Sequence, residues 1–253
     1  MKNQTIIQVI MVVSLLALAA CSPTTAAAAP TVETIARPVA NTEAVDVVTV
    51  DAEGNTAVET EALNTALEPL PAADLTAAEA AALRYMREEE KLAHDVYVTL
   101  YATWGLPIFQ NIANSEQTHT EAVLTLLERY GVDDPAAGND VGVFTDPTLQ
   151  GLYDQLVAQG NQSLADALKV GAAVEEIDIL DLEERIAQTD NEDIRVVYEN
   201  LTKGSRNHLR SFVRTLQQQT GETYTPQYLS LEAYEAIINS NIERGDGRGR
   251  PQG

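Results

Sequence analysis

Residues 76–100 read TAAEAAALRYMREEEKLAHDVYVTL, and the fold follows outward from this stretch. Thr76 followed three residues later by Glu79 is the pattern of a reciprocal helix cap, and Leu83, Met86, Leu92, Val96 and Leu100 recur at helical spacing. Gly105 and Pro107 close this first helix. A second carries Ile108, Ile112, Val123, Leu124, Leu127 and Tyr130 and ends at Gly131. The long link beyond holds Pro135, Gly138, Gly142, Pro147, Gly151 and Gly160, with one short amphipathic piece around Leu152, Tyr153, Leu156 and Val157. A third helix starts near Ser163 and runs through Leu164, Leu168, Ala173, Ile177 and Leu180. A fourth follows Thr189-Asp190-Asn191 through Ile194, Val197, Leu201, Leu209, Phe212 and Leu216, and a short last helix spans residues 230–242. Short turns make the first and last pairs of long helices antiparallel, whereas the long link brings the third helix back parallel to the second. The expected fold is all-α, a four-helix bundle with one long crossover over residues 75–243.

The rest of the chain narrows the function classes. Its 253 residues hold 16 Lys or Arg against 38 Asp or Glu, a formal charge of −22, which argues against nucleic acid as a partner because phosphate neutralisation needs clustered cations. A single cysteine permits no internal disulfide and no four-cysteine zinc site, and three histidines bound any nitrogen-rich metal site. Residues 1–20, with one early Lys and an apolar run from Ile6 to Ala20, read as a secretory signal peptide. That run closes on Leu18-Ala19-Ala20-Cys21, which resembles the bacterial lipobox. Cys21 would then be lipidated and would anchor a protein of the cell envelope to the membrane, outside the cytoplasm. Residues 21–74 contain no aromatic residue and read as a low-complexity linker, with a short strand and turn over residues 45–55. Residues 244–253 form a Gly/Arg tail expected to be disordered.

Chemistry in such a chain leans on carboxylates. Glu116-Gln117-Thr118-His119 is a Glu-x-x-His pair on the second helix; three-residue spacing puts both side chains on one face, so that the imidazole can bind one metal while the carboxylate bridges to another. His119 also falls on the stripe of Ile112, Ala122 and Leu126 rather than on the polar side.

Four phrases carry a family resemblance: Arg87-Glu88-Glu89-Glu90-Lys91-Leu92-Ala93, Glu116-Gln117-Thr118-His119, Val174-Glu175-Glu176-Ile177-Asp178-Ile179-Leu180-Asp181-Leu182 and Gly204-Ser205-Arg206-Asn207-His208-Leu209-Arg210. In order, on four helices, they resemble the ferritin-like superfamily of di-iron carboxylate bundles, and within it a family catalogued as a domain of unknown function. The interval from Glu90 to Tyr97 matches the ferritin-like spacing of a ligand glutamate and an inward tyrosine. The resemblance implies Glu90, Glu116, His119 and His208 as metal ligands, with Glu89 a competitor in the first helix and either Glu175 or Glu176 from the third. Tyr97, Asp178 and Asn207 would support them from behind. It departs from the pattern at Ser205, where a bridging glutamate is expected; Asp178 or Asp181 would have to stand in. Carboxylates with two imidazoles suit iron or manganese, doing redox chemistry with dioxygen or peroxide. The rival is a scaffold bundle with no metal, in which the same groups form a buried polar network. Homo-oligomerisation is left open.

Overall fold

A computed structural model describes residues 46–244; residues 1–20, read above as a signal peptide, Cys21 and residues 245–253 of the tail lie outside them. Among the described residues the elements are β1 (Val48–Val50), β2 (Thr56–Val58), α1 (Thr60–Leu67), α2 (Ala77–Trp104), α3 (Pro107–Tyr130), α4 (Pro147–Gly160), α5 (Leu164–Gln188), α6 (Glu192–Thr220) and α7 (Leu231–Ile238). The class is all-α, with one two-stranded antiparallel sheet in which Val50 lies opposite Thr56.

The four long helices start and stop where the sequence says they should. The Thr76 hydroxyl accepts from the Glu79 N–H (3.2 Å) while Glu79 Oε2 accepts from the Thr76 N–H (2.9 Å), satisfying two N–H groups that the first turn of α2 leaves free. Gly105 ends α2 at φ 63°, a left-handed conformation that costs glycine nothing, and α3 begins two residues later at Pro107. α2 packs along α3 and α5 along α6, and α2 also meets α5 and α3 meets α6, closing a helical bundle. Tyr85 meets Asp181 while Tyr97 meets Gly171, so α2 and α5 run antiparallel; Glu116 meets His208 while Tyr130 meets Asp193, so α3 and α6 do too. It follows that α5 returns parallel to α3. The link that allows this contains α4, whose first turn is capped by the Asp146 carboxylate accepting from Thr148 N–H (2.7 Å) and Leu149 N–H (3.2 Å).

Two apolar clusters fill the bundle. One gathers Val96, Tyr97, Leu100, Phe109, Ile112, Leu168, Phe212 and Leu216, and the other Leu83, Met86, Val123, Leu126, Leu127, Val197 and Leu201. Between them, at the middle of each long helix, lies a buried layer of polar residues: Glu90 on α2, Glu116 and His119 on α3, Glu175 and Asp178 on α5, Ser205 and His208 on α6.

The linker assignment to residue 74 needs correction from residue 46 on. The strand and turn expected there exist, with Gly54 at φ 93° in the turn, but they gain a partner strand and a helix, and all three dock on the bundle. Val47, Val48, Val58, Leu63 and Leu67 are buried in the second apolar cluster. The segment has too little apolar surface to fold alone; it buries what it has against α3 and α6. At the other end, the final helix is shorter than expected, and Ser230 caps it by accepting from the Ala233 N–H (3.1 Å).

Candidate metal centre

The three-residue spacing on α3 does what helix geometry requires. Glu116 and His119 face the same way into the bundle, with Glu116 Oε2 2.9 Å from His119 Nδ1 and its other oxygen, Oε1, 2.7 Å from His208 Nδ1 on α6. One carboxylate thus sits between two imidazoles, whose rings stack with centroids 5.4 Å apart and 20° between planes. Glu90 Oε2 approaches His119 Nδ1 at 3.5 Å from α2, and Glu175 Oε2 approaches His208 Nδ1 at 3.6 Å from α5. Glu175 is held by the Tyr97 hydroxyl, which donates to its Oε1 (2.5 Å). Gly204 makes room for the His119 ring: a Cβ there would lie 2.5 Å from His119 Cε1.

Several of these close approaches lack hydrogen-bond direction. His119 Nδ1, His208 Nδ1, Glu116 Oε1 and both oxygens of Glu90 are buried with no hydrogen-bond partner among the described residues. Ring nitrogens and carboxylate oxygens that converge without a well-directed hydrogen bond among them are the arrangement of ligands around a common cation, and leaving them dry would be costly. One ligand atom each from Glu116, His119 and His208 falls within 4.8 Å of the others, so these three form a buried group able to hold a metal ion.

The charges agree. Burial, and Glu116 after it, pushes Glu90 up to about 7 even though His119 pulls the other way. Burial and Glu116 likewise push Glu175 up to about 7 against the pull of His208. Burial and the Glu90 and Glu116 charges raise Asp178 well above the usual carboxylate range. Burial would raise Glu116 as well, but the two imidazoles outweigh it and hold that carboxyl down. Burial works against the charged form of His119, yet Glu116 and Glu90 lift it well above the ordinary value. Burial opposes the charged form of His208 too, and Glu116 and Glu175 overcome it and lift the group to about 9, while the backbone N–H of Thr56 aimed at Nε2 opposes a second proton there. Without a cation, the layer keeps protons in place of the missing positive charge.

The remaining sequence candidates divide. Of the Glu88-Glu89-Glu90 run, only Glu90 faces the histidines: Glu88, also buried, turns toward the link before α4 to accept from the Thr145 and Asp146 N–H groups, holding the start of α4. Glu89 is buried with both oxygens unpartnered, beside Asp181 and Asp178. Glu176 is not part of the centre. Its Oε2 accepts from the backbone N–H groups of Gln227 (2.9 Å), Tyr228 (2.6 Å) and Leu229 (3.0 Å), fastening the connection before α7. Ala173, Ile177 and Leu180, which recur at helical spacing along this helix, do not all mark the interior, because Leu180 is 38% exposed. Asp178 accepts from the Ser205 hydroxyl, so a carboxylate from α5 lies beside Ser205, where a glutamate was expected from the resemblance. Arg206 pairs with Glu243 (2.6 Å) rather than with a bundle glutamate. Asn207 donates to Thr56 Oγ1 (2.9 Å) and to the Glu243 carbonyl (2.9 Å). His94 lies outside the layer, its Nδ1 2.8 Å from Asp95. Thr56 touches both site histidines and was not among the sequence candidates, since nothing near it but the Gly54-Asn55 turn marks the position.

Residues 79–241 match the family described as Uncharacterized protein domain (DUF2202). The chain is 56% identical over 182 residues, 72% of its length and 98% of the relative's, to an uncharacterized protein, MJ0754, of Methanocaldococcus jannaschii. It resembles the crystal structure of hypothetical protein MJ0754 from Methanococcus jannaschii with a TM-score of 0.67 and 56% identity, covering 69% of this chain and 99% of that one.

Proposed function

We propose, for a chain that belongs to the uncharacterized domain family DUF2202, that the buried Glu/His layer is a ferritin-like metal centre for iron or manganese, in a lipoprotein held to the cell envelope through Cys21. The observation that carries this is the convergence of buried ligand atoms without a hydrogen-bond partner: both Nδ1 atoms, Glu116 Oε1 and the Glu90 carboxylate. Glu90, Glu116 and His119 would hold one ion, and Glu116, Glu175 and His208 a second, with Asp178 in the same buried layer. The metal would supply redox chemistry, with dioxygen or peroxide as the oxidant. The chain's own part is to exclude water with the two apolar clusters, to hold Glu175 through the Tyr97 hydroxyl, and to keep Glu116 shared between the imidazoles.

A non-catalytic scaffold is the second reading, favoured by the Asp178–Ser205 and Thr56–histidine hydrogen bonds, which tie the helices together without an ion. Elemental analysis of protein purified without chelator separates the two. Iron or manganese near stoichiometric amounts supports the metal centre, and near-zero iron, manganese and zinc supports the scaffold. Cys21→Ser tests the anchor: the processed variant should leave the membrane fraction, and its retention there after a high-salt wash would refute lipid attachment.

A further inference from the structure

The free edge of β2 plugs into the bundle at the two histidines. Thr56 lies opposite Val50, but its backbone N–H and C=O both point away from β1. The C=O accepts from His119 Nε2 (3.0 Å), and the N–H donates to His208 Nε2 (3.2 Å). Two residues on, the Val58 N–H donates to the Thr118 hydroxyl (2.9 Å), so three polar groups of this edge meet α3 and α6 side chains. Thr56 is fully buried, and its hydroxyl is fixed between the Asn207 amide (2.9 Å) and the Gly54 carbonyl (3.2 Å).

These two hydrogen bonds have opposite sense. A carbonyl can only accept, so His119 carries a proton on Nε2, and a neutral ring then offers a lone pair at Nδ1, toward Glu116 and Glu90. A backbone N–H can only donate, so His208 Nε2 bears the lone pair and the ring's proton sits on Nδ1, toward Glu116. For a metal to bind His208 Nδ1, that proton must leave and the neutral ring must carry one on Nε2, facing the Thr56 N–H. The hydrogen bond is then lost.

We propose that Thr56 is a positioning residue that makes the two ion positions unequal: its C=O presents His119 ready to ligate, its N–H holds His208 in the other tautomer, and the first ion therefore takes Glu90, Glu116 and His119. The His208 side fills only when the hairpin edge gives up its bond. This rests on the layer being a metal centre. Giving up a buried N–H partner weakens the second ion by roughly 10- to 100-fold relative to the same site without Thr56 N–H.

The test uses full-length protein with nitrogen-15 in its histidines, read by two-bond proton–nitrogen correlation spectra and titrated with Zn²⁺, with His208→Gln assigning the signals. At a pH high enough for both rings to be neutral, metal-free protein should show His119 protonated at Nε2 and His208 at Nδ1, and the first equivalent of Zn²⁺ should shift His119 Nδ1. Thr56→Pro removes the N–H without touching the β1–β2 ladder, because that N–H does not face β1. It should tighten the second ion by about tenfold or more, whereas Thr56→Ala, which keeps both peptide groups, should leave the affinity gap between the ions as in the parent. Neutral rings both protonated at Nε2 in metal-free protein, or the parental gap persisting in Thr56→Pro, would overturn the proposal. If Thr56→Pro does not fold, the parent spectra decide alone. If no Zn²⁺ binds, the metal centre fails, while the tautomers still report on Thr56.

Discussion

Glu116 is the side chain that both imidazoles share, and its loss should be felt twice. Glu116→Ala and His208→Ala should each remove most bound metal, because the first leaves two ion positions short of a charge and the second removes a direct ligand. Glu128→Ala, on the same helix but exposed, should leave metal content at the parental level; elemental analysis at equal protein concentration compares the three. The protons stored in the layer give a second expectation. Glu90 and Glu175, raised from the ordinary 4.5 to about 7, contribute stability that is full below 4.5 and lost as pH rises through 7. His208, raised from 6.5 to about 9, contributes stability that is full below 6.5 and lost as pH rises through 9. Glu116 has the opposite sign, its contribution being lost in acid. Metal-free protein should therefore melt at progressively lower temperature between about pH 5 and pH 9, and saturating Mn²⁺ should flatten that slope, since a cation then does what the protons did. Scanning calorimetry at a series of pH values reads both, and a metal-free melting temperature that climbs over this range would contradict the assignment. Glu116, His119 and His208 were legible because three-residue spacing and scarce histidines point inward whatever the tertiary detail. Glu175 and Glu176 were not separable: adjacent residues sit 100° apart on a helix, both are buried here, and the backbone amides that claim Glu176 come from a segment with no periodic pattern of its own.

At the scale of elements, the hairpin and α1 carry more than a tether would. Leu63 is 1% exposed and packs in the second apolar cluster beside residues of α2, α3 and α6. Leu63→Ala should lower the unfolding free energy by about 3 kcal/mol, the usual cost of a buried leucine cavity, and chemical denaturation measures it. An effect below about 0.5 kcal/mol would return the segment to linker status. The strand and turn around residues 45–55 were readable because β-branched residues next to a Gly-Asn turn have few other uses. Their docking was not readable, because a three-residue strand such as β2 carries no periodicity, and the groove that receives it exists only once α3 and α6 are side by side. α4 shows the same limit from the other direction. Its amphipathic piece was visible, but its start depends on Asp146 and on Glu88 reaching across from α2.

For the whole molecule, cap residues, glycines and one long link were enough to set the order and direction of the four long helices, since each of those marks acts locally and the packing of the bundle agrees with all of them. A chain begun at Pro71 keeps those four helices but bares the apolar surface that Val47, Val48, Val58, Leu63 and Leu67 cover, together with the Nε2 side of both histidines. It should stay helical by circular dichroism yet melt at a lower temperature and over a broader range than the full chain; an unchanged, equally sharp transition would mean that the docked segment is energetically idle. The polar layer between the two apolar clusters also bears on how the fold comes apart. Each half of the bundle has its own oil, and the seam between them is mortared, without an ion, by protons held among buried carboxylates and imidazoles. Slow amide exchange should then record two rates, one near Val123 and Val197 and another near Ile112 and Phe212, and an ion clamped across the seam should merge them into one, turning a molecule that frays in two steps into one that yields all at once.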